Sequence, residues 1–398
     1  MGTLAERLSK ALPFYVFGND PGKTAVRIDA ADPTAFWTRL IGALGHQRSV
    51  ILTDSFWPEE WKRHAGTIAA SVAPTSGFRI LIATSGSTGL PKYCVHTSDT
   101  LAAAANGYAR RFGSRGIIHA VNILPQHHVG GLMPVFRSAA CGGKVHFADY
   151  RNPGSLATAP FPIEEASLSV VPTQLRRLLK DESNCAILRR FALILVGGAA
   201  CPTDILEDAR KRDLSLAPCY GATETAAMVT AMDPDAFLAG AKGVGTSLLH
   251  ARIEVDSDQR ILVHSPSLLR AYLPPVDGFV RDPFPTGDLG KIDECGNLHI
   301  LGRADRVINT GGEKVHPEQV EAAALATGLV TAAHCEGVAN PDWGQQVELW
   351  VEAEPWKPET RNRIIKELKS RLPAFAIPKA VSPLDKSRVK PGQVSSFK

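Results

Sequence analysis

The feature that most narrows the fold is a short apolar run that stops at a glycine-rich loop. Residues 78–84 read FRILIAT, a buried-strand pattern, and lead directly into Ser85-Gly86-Ser87-Thr88-Gly89-Leu90-Pro91-Lys92. Gly86 and Gly89 let the backbone bend tightly and come close to a bulky anion. The hydroxyls of Ser85, Ser87 and Thr88 and the loop's N–H groups are donors, and Lys92 adds a positive charge. Together these groups suit a polyphosphate. The loop is not of the Walker type, because the GxxxxGK[ST] spacing is absent and Lys92 is followed by Tyr93.

The same strand belongs to a longer alternation. Apolar, β-branched runs at 49–53, 117–124, 144–147, 167–171 and 191–196 predict strands, and helical spacing predicts helices at 3–12, 34–45 and 59–73. Strand and helix in turn imply an α/β fold with layered, largely parallel sheets. From about residue 243 the runs shorten, at 253–255, 260–264 and 298–301, and predict a β-rich subdomain. The last stretch has its own order, a helix at 317–326, a strand at 347–353 and a helix at 358–372, and reads as a small α+β domain. The expected division is 1–304 and 305–398.

Composition excludes several classes. With 44% hydrophobic and 21% charged residues, the chain is neither disordered nor fibrous. Its net charge of +4 is spread rather than clustered, so no nucleic-acid partner is expected. The seven cysteines show no CxxC pair and read as reduced thiols, most of them small buried apolar residues. The first twenty residues have no long apolar stretch, so neither a signal peptide nor a membrane span is expected, and a cytoplasmic location follows as the default.

The Thr84–Lys92 segment closely resembles the phosphate-loop signature of the adenylate-forming superfamily, which includes acyl-CoA synthetases, luciferases and peptide-synthetase adenylation domains. Further motifs appear in that family's order. Tyr220-Gly221-Ala222-Thr223-Glu224 resembles its adenine-and-magnesium motif and Thr286-Gly287-Asp288 its ribose motif. Gly302-Arg303-Ala304-Asp305-Arg306-Val307-Ile308, with Gly311-Gly312-Glu313-Lys314-Val315 beyond it, resembles the hinge and the loop that follows. The resemblance implies ATP, magnesium and CoA as ligands. It implies that Thr84, Ser85, Thr88 and Lys92 meet phosphates, that Thr223 touches the α-phosphate and that Glu224 holds magnesium. Asp288 would accept the ribose hydroxyls, Arg303 would bind ribose or phosphate, and Asp305 would be the hinge of a mobile C-terminal domain. Gly311 and Gly312 would border the CoA passage. Gly197-Gly198-Ala199-Ala200 resembles the loop of the acyl and adenine pocket.

The substrate is a small carboxylic acid under this resemblance. Leu124-Pro125-Gln126-His127-His128-Val129-Gly130-Gly131-Leu132 is similar to the corresponding segment of o-succinylbenzoate–CoA ligases of menaquinone and phylloquinone synthesis. It implies that His128 gates the acyl pocket beside Gly130 and Gly131. Only about 80 residues precede the phosphate loop, which fits such a compact ligase. Arg137 could meet a substrate carboxylate. Another aryl- or acyl-CoA ligase, or an enzyme that loads a carrier protein, is the rival within the family, and a homodimer is left open. One position departs from the pattern. Where the family carries its adenylation lysine, alignment on Gly392 gives Gln393. Either Lys390 supplies the charge, or the chain binds acyl-adenylates without forming them.

Overall fold

The computed structural model describes residues 4–12, 25–29, 32–72, 77–84, 90–353, 356–385 and 395–396. The described residues are mixed α/β and form four sheets. The first sheet has the order Ala25–Asp29, Ser49–Thr53, Arg79–Thr84, Lys92–Thr97 and Ala271–Leu273. Its first three strands are parallel and its last two antiparallel, so the largely parallel sheet expected from the sequence is only half realised here. The physical reason is the glycine loop. Its flanks return alongside each other as a two-stranded antiparallel ladder, and Thr84 faces Lys92 across it.

The second sheet has seven strands. Five are parallel: Val145–Phe147, His119–Asn122, Ala166–Val170, Leu193–Val196 and Leu216–Ala222. Ala227–Ala231 and Thr246–Ser247 close that sheet in antiparallel pairing. The observed strands at 119–122 and 193–196 are shorter than the expected runs at 117–124 and 191–196, because Ile117 and Phe191 pack into the core outside the ladder. The β-rich subdomain is an antiparallel sheet of Arg252–Val255, Arg260–His264, Phe284–Ile292 and Leu298–Arg303.

Local chemistry explains the helices that pack behind the first sheet. Pro33–Gly45 starts where Asp32 accepts from the Thr34 N–H at 2.8 Å, with Pro33 at the first helical position. Its Phe36, Trp37, Leu40, Ile41 and Leu44 form the buried face. Ser98–Arg111 begins at a reciprocal cap between Thr97 and Thr100. Val129–Cys141 is buried on nearly every side and ends at Gly142, whose φ of 76° is a left-handed terminator. All three helices contribute to one apolar cluster with the first sheet.

The fourth sheet runs Glu313–Val315, Ile308–Thr310, Gly344–Glu352, Ala332–Asn340 and Ser395–Ser396, with Ala380–Pro383 pairing parallel to Gly344–Glu352. Helices Pro317–Leu325 and Pro358–Lys369 cover it, and its apolar residues, from Ile308 to Val381, form a core of their own. Among the described residues no helix is long and apolar enough to cross a membrane.

Candidate active site

The ends of the first three sheets meet around a cavity of about 1170 Å³. Thr84 lines it from the last position of its strand. Lys92 faces Thr84 across the ladder, half-buried and outside the cavity lining. Ser85, Gly86, Ser87, Thr88 and Gly89 lie outside the described residues.

Gly221, Thr223 and Glu224 line the opposite wall. Gly221 is required by space, since a Cβ there would run into the backbone of Ala227 and Met228. Thr223 and Glu224 sit on a single 3-10 turn, Thr223–Thr225, that is unusually well tethered. Its three successive carbonyls accept from His96 Nε2 at 2.7 Å, from the Leu269 N–H at 2.8 Å and from Ser267 Oγ at 2.9 Å. His96 is fully buried, and burial pushes its pKa down to about 4. It is therefore neutral, with its proton on Nε2 toward Thr223. The carboxylate of Glu224 accepts from the hydroxyl of Tyr272 at 2.9 Å.

A second polar group closes the cavity's edge. Tyr220 does not line the cavity, but its hydroxyl donates to Asp288 Oδ2 at 2.6 Å. Burial and then the charge of Asp288 raise the phenol's pKa. Arg303 Nη1 donates to Asp288 Oδ1 at 3.2 Å, and Arg303 Nε to Asp305 Oδ1, also at 3.2 Å. One guanidinium thus spans both carboxylates. Asp288, Arg303 and Asp305 all line the cavity.

His128, Gly130 and Gly131 line the other end. The His128 ring is open to the cavity rather than locked in the core, although the surrounding wall lowers its pKa. Its neighbour His127 is the buried one, 3.5 Å from Asp54 and stacked obliquely on His128. Gly131 leaves no room for a side chain, because a Cβ would meet the carbonyl groups of Leu124 and Pro125. Its own carbonyl accepts from Asn122 Nδ2 at 2.7 Å. Gly197 and Gly198 line the cavity, whereas Ala199 is exposed beyond it. The Cys219 thiol fills the space beside Gly197, where a Cβ would come within 2.8 Å of its sulfur.

The structure puts Arg137 in the pocket wall. It is only 6% exposed, lines the cavity and lies over the Tyr108 ring at 5.4 Å. Burial lowers its pKa, and the opposing influences are Tyr108 and Cys219 rather than an acid. No carboxylate among the described residues pairs with it. A buried guanidinium without a counter-charge is costly unless a ligand supplies one.

Gly311 and Gly312 are not brought to this cavity. They form the exposed turn between two strands of the fourth sheet, with Trp343 packed against Gly311 and Lys379 lying 5.8 Å from the Trp343 ring. Lys390 and Gln393 lie outside the described residues. Sequence reasoning missed His96, Tyr272 and Ser267. No periodicity marks them, and their use rests on contacts between segments far apart in the chain.

Comparison with known proteins places these features in context. A model of the family described as AMP-binding enzyme matches residues 28–273, more than half of the chain. A 2-succinylbenzoate–CoA ligase of Bacillus licheniformis is 27% identical over 316 residues, covering 76% of this chain and 65% of the relative. The chain thus spans a little under two thirds of that relative's length. Among solved structures, o-succinylbenzoate CoA synthetase (MenE) from Bacillus subtilis in complex with the acyl-adenylate intermediate OSB-AMP superposes with a TM-score of 0.78 at 20% identity, covering 96% of this chain and 88% of that one. The same enzyme in complex with ATP and magnesium gives a TM-score of 0.75 at 22% identity, with coverages of 92% and 86%.

Proposed function

The chain belongs to the AMP-binding enzyme family, and from that premise we propose that it is an ATP-dependent acid–CoA ligase acting on 2-succinylbenzoate. The observation that carries the choice of acid is Arg137. A buried cation that faces the cavity with no carboxylate partner among the described residues suits a substrate with a second carboxylate, one to react and one to be held. The names of the relatives support the same acid.

In the first step a carboxylate oxygen of the acid attacks the α-phosphorus of ATP, and pyrophosphate leaves. Thr84, Lys92 and the loop between them hold the phosphates, and Thr223 donates to the α-phosphate. The Glu224 carboxylate on the cavity wall fits a magnesium ion, which takes carboxylate and phosphate oxygens. Bound there, magnesium neutralises charge on the phosphates. Asp288 accepts the ribose hydroxyls, with Arg303 beside it, and Gly221 and Gly198 leave room for the flat adenine. His128, Gly130, Gly131 and Gly197 shape the space for the aromatic acid. Lys390 supplies the cation near the reacting oxygens.

In the second step the CoA thiol attacks the acyl carbonyl carbon and AMP leaves with its electron pair. Residues 305–398 act as a mobile unit that turns about Asp305 between the steps. The separate apolar core from Ile308 onward supports that division. Gly311 and Gly312 then border the CoA passage.

The test is pyrophosphate release with 2-succinylbenzoate, benzoate and octanoate, with and without CoA. Release with 2-succinylbenzoate alone is the expected result. A second reading, favoured by Gln393, is a protein that binds acyl-adenylates but does not make them, because a neutral amide supplies no charge to the first step. Silence with every acid, reversed by Gln393→Lys, selects that reading.

A further inference from the structure

Glu224 is supported from behind by a side chain outside the motifs described above. Tyr272 and Cys94 are direct partners across the antiparallel pairing of Ala271–Leu273 with Lys92–Thr97. Residues opposite each other in such a ladder project from the same face of the sheet. The Tyr272 hydroxyl reaches the Glu224 carboxylate and donates to Oε1 at 2.9 Å. Cys94 beside it is completely buried. The Tyr272 ring is itself braced edge-on against Phe279, with centroids 5.2 Å apart. The backbone under Glu224 is held by its own carbonyl bond to the Leu269 N–H, three residues before Tyr272.

We propose that Tyr272 is a positioning residue for metal recognition. Its hydroxyl orients the Glu224 carboxylate so that magnesium carried by ATP meets a pre-set oxygen rather than a freely rotating group. This inference rests on the reading of Glu224 as the metal carboxylate. A hydrogen bond that fixes a ligating carboxylate tunes the ligand it supports, and its loss weakens metal binding without removing a ligand. Tyr272→Phe keeps the ring and its packing on Phe279 and deletes only the donor.

The experiment is titration calorimetry of ATP into the full chain, once with a chelator and once with excess Mg2+, for the native protein and Tyr272→Phe. The native protein should bind ATP more tightly with metal. Tyr272→Phe should keep its metal-free affinity within about twofold and lose about fivefold or more of the metal-dependent gain, as expected for one hydrogen bond to a charged group. Mn2+ binding in the presence of ATP, followed by electron paramagnetic resonance, should weaken in parallel. If Tyr272→Phe has the native metal dependence, or loses metal-free affinity by the same factor, the positioning role is overturned and the reading of Glu224 stands. If the native protein gains nothing from metal, the reading of Glu224 falls and the proposal with it. Should Tyr272→Phe not fold, Phe279→Leu, which loosens the ring that carries the phenol, must show the same selective loss, or the proposal fails.

Discussion

Tyr220 and Asp288 are joined by a 2.6 Å hydrogen bond from phenol to carboxylate, across 68 residues of sequence. The bond links the strand Leu216–Ala222 of one sheet to Phe284–Ile292 of another. It leaves Asp288 oriented before any nucleotide arrives. Tyr220→Phe should raise the KM for ATP roughly tenfold, the worth of a hydrogen bond to a charged group. The kcat should change much less. Steady-state kinetics at saturating acid and CoA would measure both, and an unchanged KM would remove the role.

Arg137 gives a prediction about substrate choice. Arg137→Leu should lower kcat/KM for 2-succinylbenzoate by roughly 10- to 100-fold. The affinity for ATP, measured by calorimetry without any acid, should not fall. Equal losses of ATP affinity and of kcat/KM would show that the guanidinium supports the fold rather than the substrate.

The bridge from Arg303 to Asp305 bears on the proposed turn between half-reactions. Proline at 305 restricts φ at the proposed pivot. Asp305→Pro should slow thioester formation by at least about tenfold while leaving pyrophosphate release in the first step within about threefold. Single-turnover measurements of each step separate the two. Equal slowing would place the pivot elsewhere.

Buried histidines predict acid sensitivity. His96, His127 and His250 are all pushed from 6.5 down to about 4, burial being the largest cause in each. Between those values the unfolded chain binds protons that the folded chain refuses, so folding stability rises with pH across the window. Stability should be flat in this respect above about pH 7 and fall steadily from about pH 6.5 toward 4. Urea unfolding at several pH values would show the slope, and His96→Gln should make it shallower.

Gly131 offers a steric test. Gly131→Ala should destabilise the protein by roughly 1–3 kcal/mol or more, because the added methyl meets backbone rather than a movable side chain. Thermal unfolding would detect this, and Gly66→Ala, where nothing lies within 4 Å, is the matched control.

Much of the α/β order was legible because buried strands announce themselves as short β-branched runs. SVILT at Ser49–Thr53 and RILVH at Arg260–His264 have the expected bounds. Strand direction was not legible. Lys92–Thr97, with its lysine, cysteine and histidine, shows no strong apolar pattern, and it turns the first sheet antiparallel. The site shows the same division. Motif residues such as Glu224 and Asp288 could be named from local sequence, and both line one cavity. Arg137 could not be assigned to the interior, because burial of a charged side chain depends on the packing of a whole helix. Tyr272 had no local signature, since its use depends on a strand pairing nearly 180 residues away from Cys94.

The three tethers on the Thr223–Thr225 turn also impose an order of events during synthesis. His96 precedes the turn by 127 residues, whereas Ser267 and Leu269 follow it by about 42 and 45. A chain still emerging from the ribosome, with residue 269 inside the exit tunnel, can make the first attachment but not the other two. Both central parallel strand sets would already be outside by then. The nascent protein would therefore hold most of its hydrophobic interior before it could grip a nucleotide, so that, under the function proposed above, capture of ATP would report a late stage of its maturation.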